Sequence, residues 1–151
     1  MRINGIIPCS FVNGDGARYV VFVQGCLHHC DGCHNTETWD FDGGYDFPIE
    51  AIADDFRRRK YLDGITLSGG DPFYQQKQCV ELLNLIEPSS VWIYTGFEYH
   101  DIKHTELASM ADVIVTGRYV KELACEGKMY GSSNQKIMRR CEDGVHRYDR
   151  D

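Results

Sequence analysis

Residues 18–35, RYVVFVQGCLHHCDGCHN, run a β-forming segment directly into three cysteines. Residues 18–24 are β-branched and aromatic and are predicted to form a buried strand. The strand delivers the chain into a loop at its carboxyl end. There Cys26, Cys30 and Cys33 stand in the spacing C-x3-C-x2-C, with His28, His29 and His34 among them. Thiolates bind iron-sulfur clusters and zinc. A cubane cluster ligated by protein at every iron needs four of them, and structural zinc takes four nitrogen or sulfur ligands. Three cysteines leave one iron of a cubane open to an exogenous ligand, whereas one added histidine would complete a zinc clip. Cys30-Asp31-Gly32-Cys33 has redox-motif spacing, but such motifs do not require the third cysteine before it. The histidines read first as loop residues bonding to backbone, and the loop alone leaves both metal readings open.

Outward from this loop the chain alternates helices and strands. Pro48 suits the start of a helix reaching about Tyr61, with Ile49, Ile52, Ala53 and Phe56 on one face. Residues 64–68 (GITLS) form a second strand. Pro72 opens another helix, apolar at Val80, Leu82, Leu83, Leu85 and Ile86 and ending before Pro88. Residues 91–95 (VWIYT) are a third strand, residues 101–110 a weaker helix, and residues 113–116 (VIVT) a fourth strand. This order implies parallel strands joined by helical crossovers. Beyond Tyr119 the chain is polar and no element is assigned. Four to six strands are too few for a closed eight-stranded barrel, which needs about 200 residues. The expectation is an α/β fold, an open partial (βα) barrel with a mainly parallel sheet, forming one domain over residues 1–151.

Sixteen Lys and Arg against 23 Asp and Glu give a formal charge of −7, which argues against a nucleic-acid partner. The basic run Arg57-Arg58-Arg59-Lys60 closes a helix, where cations meet the negative end of its dipole, and reads as a solvated helix end. No leader pattern or membrane span is present, so a soluble cytoplasmic protein is expected. The other cysteines, Cys9, Cys79, Cys125 and Cys141, are scattered rather than arranged as a disulfide framework. They read as structural thiols, Cys79 on the apolar face of its helix.

A second feature is Ser68-Gly69-Gly70-Asp71-Pro72, which ends the second strand at the same carboxyl edge of the sheet. Glycines there let a ligand approach the backbone, although Asp71 and Pro72 also suit a helix start. Open α/β sheets bind ligands beyond these strand ends.

With both features on one edge, the sequence resembles the radical S-adenosylmethionine (SAM) superfamily, specifically the activating enzymes of glycyl-radical enzymes. The signature reads Gly14-x-Gly16-x-Arg18-x3-Phe22-x2-Gly25-Cys26-x3-Cys30-x2-Cys33-x-Asn35. Within that group, "LSGGDP", "WIYTGF", "DVIVTGRYV" and "YGSSNQ" are similar to the activases of anaerobic (class III) ribonucleoside-triphosphate reductase. Gly32, where most of the superfamily has an aromatic, agrees with that subgroup. Asp71 replaces the commoner Glu of a Gly-Gly-Glu motif, and Thr116 stands where an acidic residue is expected.

The resemblance implies that Cys26, Cys30 and Cys33 ligate a [4Fe-4S] cluster whose open iron takes SAM. Ser68, Gly69, Gly70 and Asp71 are then expected to meet the SAM ammonium. Gly32, His34 and Asn35 are expected along its adenosine, Cys33 counts among the cofactor-binding residues as well as the cluster ligands, and Thr95 and Gly96 are further SAM neighbours. No catalytic acid or base is required. Reduced flavodoxin or a similar low-potential donor and the reductase as protein substrate are the implied partners, under anaerobic conditions. Two alternatives remain: an activase of a different glycyl-radical enzyme, and a non-catalytic zinc-binding module.

Overall fold

The computed structural model describes residues 1–149; Arg150 and Asp151, the last two positions of the single-domain expectation, lie outside the described residues. β1 (Arg2–Ser10) pairs antiparallel with β2 (Arg18–Val23), and the two-residue β3 (Tyr45–Asp46) lies along the other side of β1. Then α1 (Ile49–Arg58) leads to β4 (Gly64–Gly69), α2 (Gln76–Ile86) to β5 (Val91–Tyr94), and α3 (Tyr99–Ile102) with α4 (Glu106–Met110) to β6 (Val113–Thr116). β7 (Lys136–Arg140) and β8 (His146–Asp149) follow.

The strand order is β3-β1-β2-β4-β5-β6-β7-β8. Only the central β2, β4, β5 and β6 are mutually parallel; the flanking pairings are antiparallel. The α/β class and the open sheet agree with expectation, but the mainly parallel sheet of four to six strands is corrected to a mixed sheet of eight. The added strands have physical reasons for being illegible. β1 contains Gly5 and Pro8, which interrupt a strand pattern. β7 and β8 (KIMRR and HRYD) carry charges on their exposed faces, as a sheet border does.

Alternation along the parallel strands assigns the two faces of the sheet. Tyr19, Val21 and Val23 of β2, Ile65 and Leu67 of β4, and Val91 and Ile93 of β5 enter the main core, where Ile52 of α1, Leu82 and Leu83 of α2 and Leu107 of α4 cover them. Fully burying each such side chain is worth about 1.5–3 kcal/mol, so this face fixes the helices on the sheet. The intervening residues, Thr66, Ser68, Trp92 and Tyr94, face the other side. Registers Phe22↔Ser68, Leu67↔Ile93 and Tyr94↔Val115 keep the parallel strand ends level.

Helix ends follow local chemistry. α1 stops at Arg58 instead of Tyr61 because Arg59 leaves helical geometry. Its basic end is solvated and paired within the helix, Arg57 with Asp54 at 3.6 Å and Arg58 with Asp55 at 3.2 Å. The single helix expected over residues 101–110 is two, because Thr105 adopts extended backbone and its hydroxyl accepts the Ala108 N–H, starting α4 afresh. Among the described residues no helix is long and apolar enough to cross a membrane.

Candidate metal centre at the carboxyl edge of the sheet

Leaving β2, the chain is pinned before the first cysteine. Gln24 Nε2 donates to the Glu37 and Asp40 carbonyls at 2.9 and 2.7 Å. The Gly25 and Cys26 N–H groups donate to the carbonyls of Thr38 and Trp39. Cys26 is buried, and Cys30 and Cys33 are partly exposed. Cys30 to Cys33 is a tight turn closed by the Cys33 N–H on the Cys30 carbonyl at 3.1 Å, with Gly32 at φ 75°, a conformation that favours glycine.

All three thiols line one cavity of about 240 Å³. The strand-end wall of that cavity is Ser68, Gly69 and Gly70 at the end of β4, with Tyr94, Thr95 and Gly96 at the end of β5. Asn35 joins the two walls, its Nδ2 donating to the Gly69 carbonyl at 3.4 Å while its N–H points to Cys33 Sγ at 3.4 Å. His34 also lines the space, its ring tilted against Tyr119 at 5.2 Å. The expected residues Cys26, Cys30, Cys33, His34, Asn35, Ser68, Gly69 and Gly70, with Thr95 and Gly96, are therefore brought together. Two are not on the cavity wall. Gly32 packs toward Lys121, and Asp71 is completely buried behind the wall. Thr116 is buried in β6, its hydroxyl toward the Lys136 carbonyl at 3.4 Å.

The third wall comes from residues 117–135, to which no element was assigned. Gly117, Tyr119, Gly131 and Gln135 line it. Gln135 knots this segment: its Oε1 accepts the Gly131 and Ser132 N–H groups at 2.8 and 3.1 Å, and its Nε2 donates to the Gly117 carbonyl at 2.9 Å. The sequence signals of this wall are the blocks DVIVTGRYV, which holds Gly117 and Tyr119, and YGSSNQ, which holds Gly131 and Gln135.

The donor set is three thiols. Of the nearby histidines, His28 Nε2 lies 2.7 Å from Asp71, the His29 ring stacks on Trp39 at 4.4 Å, and the His34 ring tilts against Tyr119. Burial pushes the Cys26 thiol up to about 11, while the backbone N–H groups of His28 and His29 pull the other way. Burial also raises Cys30, opposed by the Tyr119 N–H. Backbone donors aimed at sulfur suit a thiolate ligand, because such bonds stabilise its charge. Among the described residues no three Cys, His, Asp or Glu side chains are gathered tightly enough to hold a single metal ion; the thiols share a wall rather than a point. The set fits a group that takes three thiolates and leaves a further position to a ligand in the cavity.

A family model described as a 4Fe-4S single cluster domain matches residues 12–138. Proteins named anaerobic ribonucleoside-triphosphate reductase-activating protein are similar to this chain along most of its length. That of Enterobacteria phage T4 is 38% identical over 158 residues, covering 99% of this chain and all of the relative. Those of Salmonella typhi and Escherichia coli K12 are 33% and 31% identical over 151 residues, each covering 91% of this chain and 97% of the relative. A cavity walled by three thiols, inside a matched single-cluster domain and with full-length relatives of one name, places the chain in the family of anaerobic ribonucleoside-triphosphate reductase-activating proteins.

Proposed function

We propose that the chain is a radical SAM activase of anaerobic ribonucleoside-triphosphate reductase, a single domain of the open partial-barrel type. The observation that carries this reading is the shared cavity: three thiols on one wall and the open ends of β4 and β5 on the other. Cys26, Cys30 and Cys33 hold a [4Fe-4S] cluster, and His28, the histidine between the first two, is turned to Asp71 through Nε2 at 2.7 Å. When bound there with SAM, the cluster would supply one-electron reductive cleavage of the sulfonium, the source of the radical chemistry that would activate one glycine of the reductase.

The chain's own part is binding and exclusion. Backbone at Ser68, Gly69 and Gly70 receives the SAM ammonium through carbonyl oxygens, as charge-assisted hydrogen bonds. His34 and Asn35 lie along the adenosine, with Tyr119 beside His34. Burial raises the Cys26 and Cys30 thiols above their ordinary range in the metal-free protein, so their ligation as thiolates releases protons. No side chain is needed as an acid or base. A low-potential donor of the flavodoxin kind supplies the electron.

Anaerobic reconstitution with iron and sulfide tests the reading. The expected product is a brown protein with about four irons, whose reduced EPR spectrum changes on adding SAM. It should form 5'-deoxyadenosine and place a glycyl-radical doublet on the reductase. A protein that takes only zinc, or one that forms no 5'-deoxyadenosine with dithionite and SAM, sinks it.

A further inference from the structure

Asp71 has no exposed surface and its carboxylate is filled by protein donors. Oδ1 accepts the Phe73 N–H at 3.0 Å, and Oδ2 accepts the Gly96 N–H at 2.9 Å. The Thr95 hydroxyl lies 2.9 and 2.7 Å from the two oxygens, and His28 Nε2 is 2.7 Å from Oδ2. These donors belong to three segments: the turn entering α2, the end of β5, and the cysteine loop. Only the last lacks a regular element to hold it.

The end of β5 is shaped to receive the His28 ring. A Cβ on Gly96 would stand 2.5 Å from His28 Cδ2, so the bare Cα is what admits the imidazole. The Phe97 ring meets it edge-on at 4.6 Å, and Tyr74 lies 5.7 Å away on another side. The His28 side chain keeps only 5% of its surface exposed. His28 sits between Cys26 and Cys30, so seating this ring places both thiols relative to the strand ends.

We infer that the His28–Asp71 hydrogen bond is a latch that holds the cysteine loop against the ends of β4 and β5, with Asp71 a positioning residue acting through His28 and not a contact of SAM. The latch itself stands on geometry; its consequence for SAM rests on the function proposed above. A donor from His28 to a carboxylate anchored on two other elements fixes the loop as an outer-shell partner fixes a metal ligand, where loss costs about 10–100-fold in affinity or activity. Asp71 has no oxygen left for an ammonium without breaking one of these bonds.

The test uses the full chain in two states. In metal-free protein, Cys26 is 7% exposed, and iodoacetamide labelling mapped by mass spectrometry reports how often the loop lifts, with exposed Cys141 as the reagent control. His28→Phe keeps an aromatic ring but removes the donor, and should label Cys26 about tenfold faster, as local opening becomes cheaper. His28→Gln, whose amide nitrogen reaches the place of Nε2, should restore protection. After anaerobic reconstitution, the SAM concentration needed for the EPR change should rise about tenfold in His28→Phe and recover in His28→Gln. Asp71→Asn should repeat His28→Phe, and the double variant should add nothing. If Asp71→Asn does not fold by circular dichroism, the two His28 variants decide alone. Wild-type labelling and SAM dependence in His28→Phe would overturn the latch. So would weakened SAM binding in Asp71→Asn but not in His28→Phe, which would make Asp71 a direct contact. If the wild type takes up no cluster, the proposed function fails while the labelling rates still decide the latch.

Discussion

Gly70 packs its Cα against the backbone of Gly25, so closely that a Cβ on Gly70 would overlap the Gly25 carbonyl. That carbonyl also accepts the Asp71 N–H at 3.0 Å, while the Gly70 N–H donates to Val23 at 2.8 Å. The glycine expected to admit a ligand thus first admits the backbone that leads from β2 into the cysteine loop. Gly70→Ala should destabilise the protein by about 1–3 kcal/mol, the cost of overpacking a site bounded by main chain. Gly5→Ala, with open space around the added carbon, should stay within about 0.5 kcal/mol of wild type. Urea unfolding of both variants checks the contrast, and an equally stable Gly70→Ala refutes it.

Arg18 belongs to the sequence signature, yet it lies away from the chemistry. Its guanidinium is buried and donates to Thr66 Oγ1 at 2.8 Å and to the carbonyls of Asp15, Ile65 and Ser90 at 3.0, 2.7 and 3.0 Å. Trp92 lies beneath it at 5.9 Å. Burial lowers its pKa from the ordinary arginine value, opposed by the charges of Asp15, Asp112 and Asp63. A lysine has one ammonium and cannot span these acceptors. Arg18→Lys should cost about 2–4 kcal/mol by leaving buried carbonyls unmet, with cluster uptake of the folded fraction unchanged. Denaturant titration with iron analysis separates the two effects.

What was legible in the sequence is what short-range chemistry determines. The four parallel strands are apolar runs, and three cysteines beside a Gly-Gly turn mark the functional edge whichever way the flanks fold. The return of residues 117–135 over that edge depends on Gln135 reaching Gly117, a contact that composition and periodicity do not encode. Asp71 was ambiguous for a different reason. A carboxylate between Gly-Gly and Pro suits a helix cap and a cation contact equally, and its complete burial against His28 and Thr95 is a long-range packing fact that the spacing does not encode.

His146 makes the β8 border pH-sensitive. Its Nε2 donates to the Ala111 carbonyl at 2.7 Å, and its Nδ1 accepts from the Tyr99 hydroxyl at 3.1 Å, so the neutral ring fits. Burial lowers its pKa from 6.5, opposed by the Ala111 bond. With the folded value below the unfolded one, its contribution is fully present above pH 6.5 and is lost as pH falls through the folded value. Urea midpoints at pH 7.5 and about 5.5 should differ more for wild type than for His146→Gln, which keeps the donor to Ala111 but does not titrate. Equal pH dependence in the two proteins refutes the assignment.

Cys79 separates a structural thiol from a ligand. It is completely buried on α2 beside Leu82 and Leu83, its Sγ 3.8 Å from the Pro72 carbonyl, and burial pushes its thiol up to about 12. It is therefore a protonated, apolar filler, and Cys79→Ala removes one packed atom for about 1–2 kcal/mol. Cys26, Cys30 and Cys33 instead face the shared cavity, and in the proposed cluster each missing thiolate would leave an iron without its ligand. Iron analysis after anaerobic reconstitution should give about four irons in Cys79→Ala, as in wild type, and a loss of stable cluster in each of Cys26→Ala, Cys30→Ala and Cys33→Ala. A full complement in any of the last three, together with SAM cleavage, would remove that cysteine from the ligand set. Depletion in Cys79→Ala at unchanged fold would show that the thiols on the cavity wall are not the whole of it.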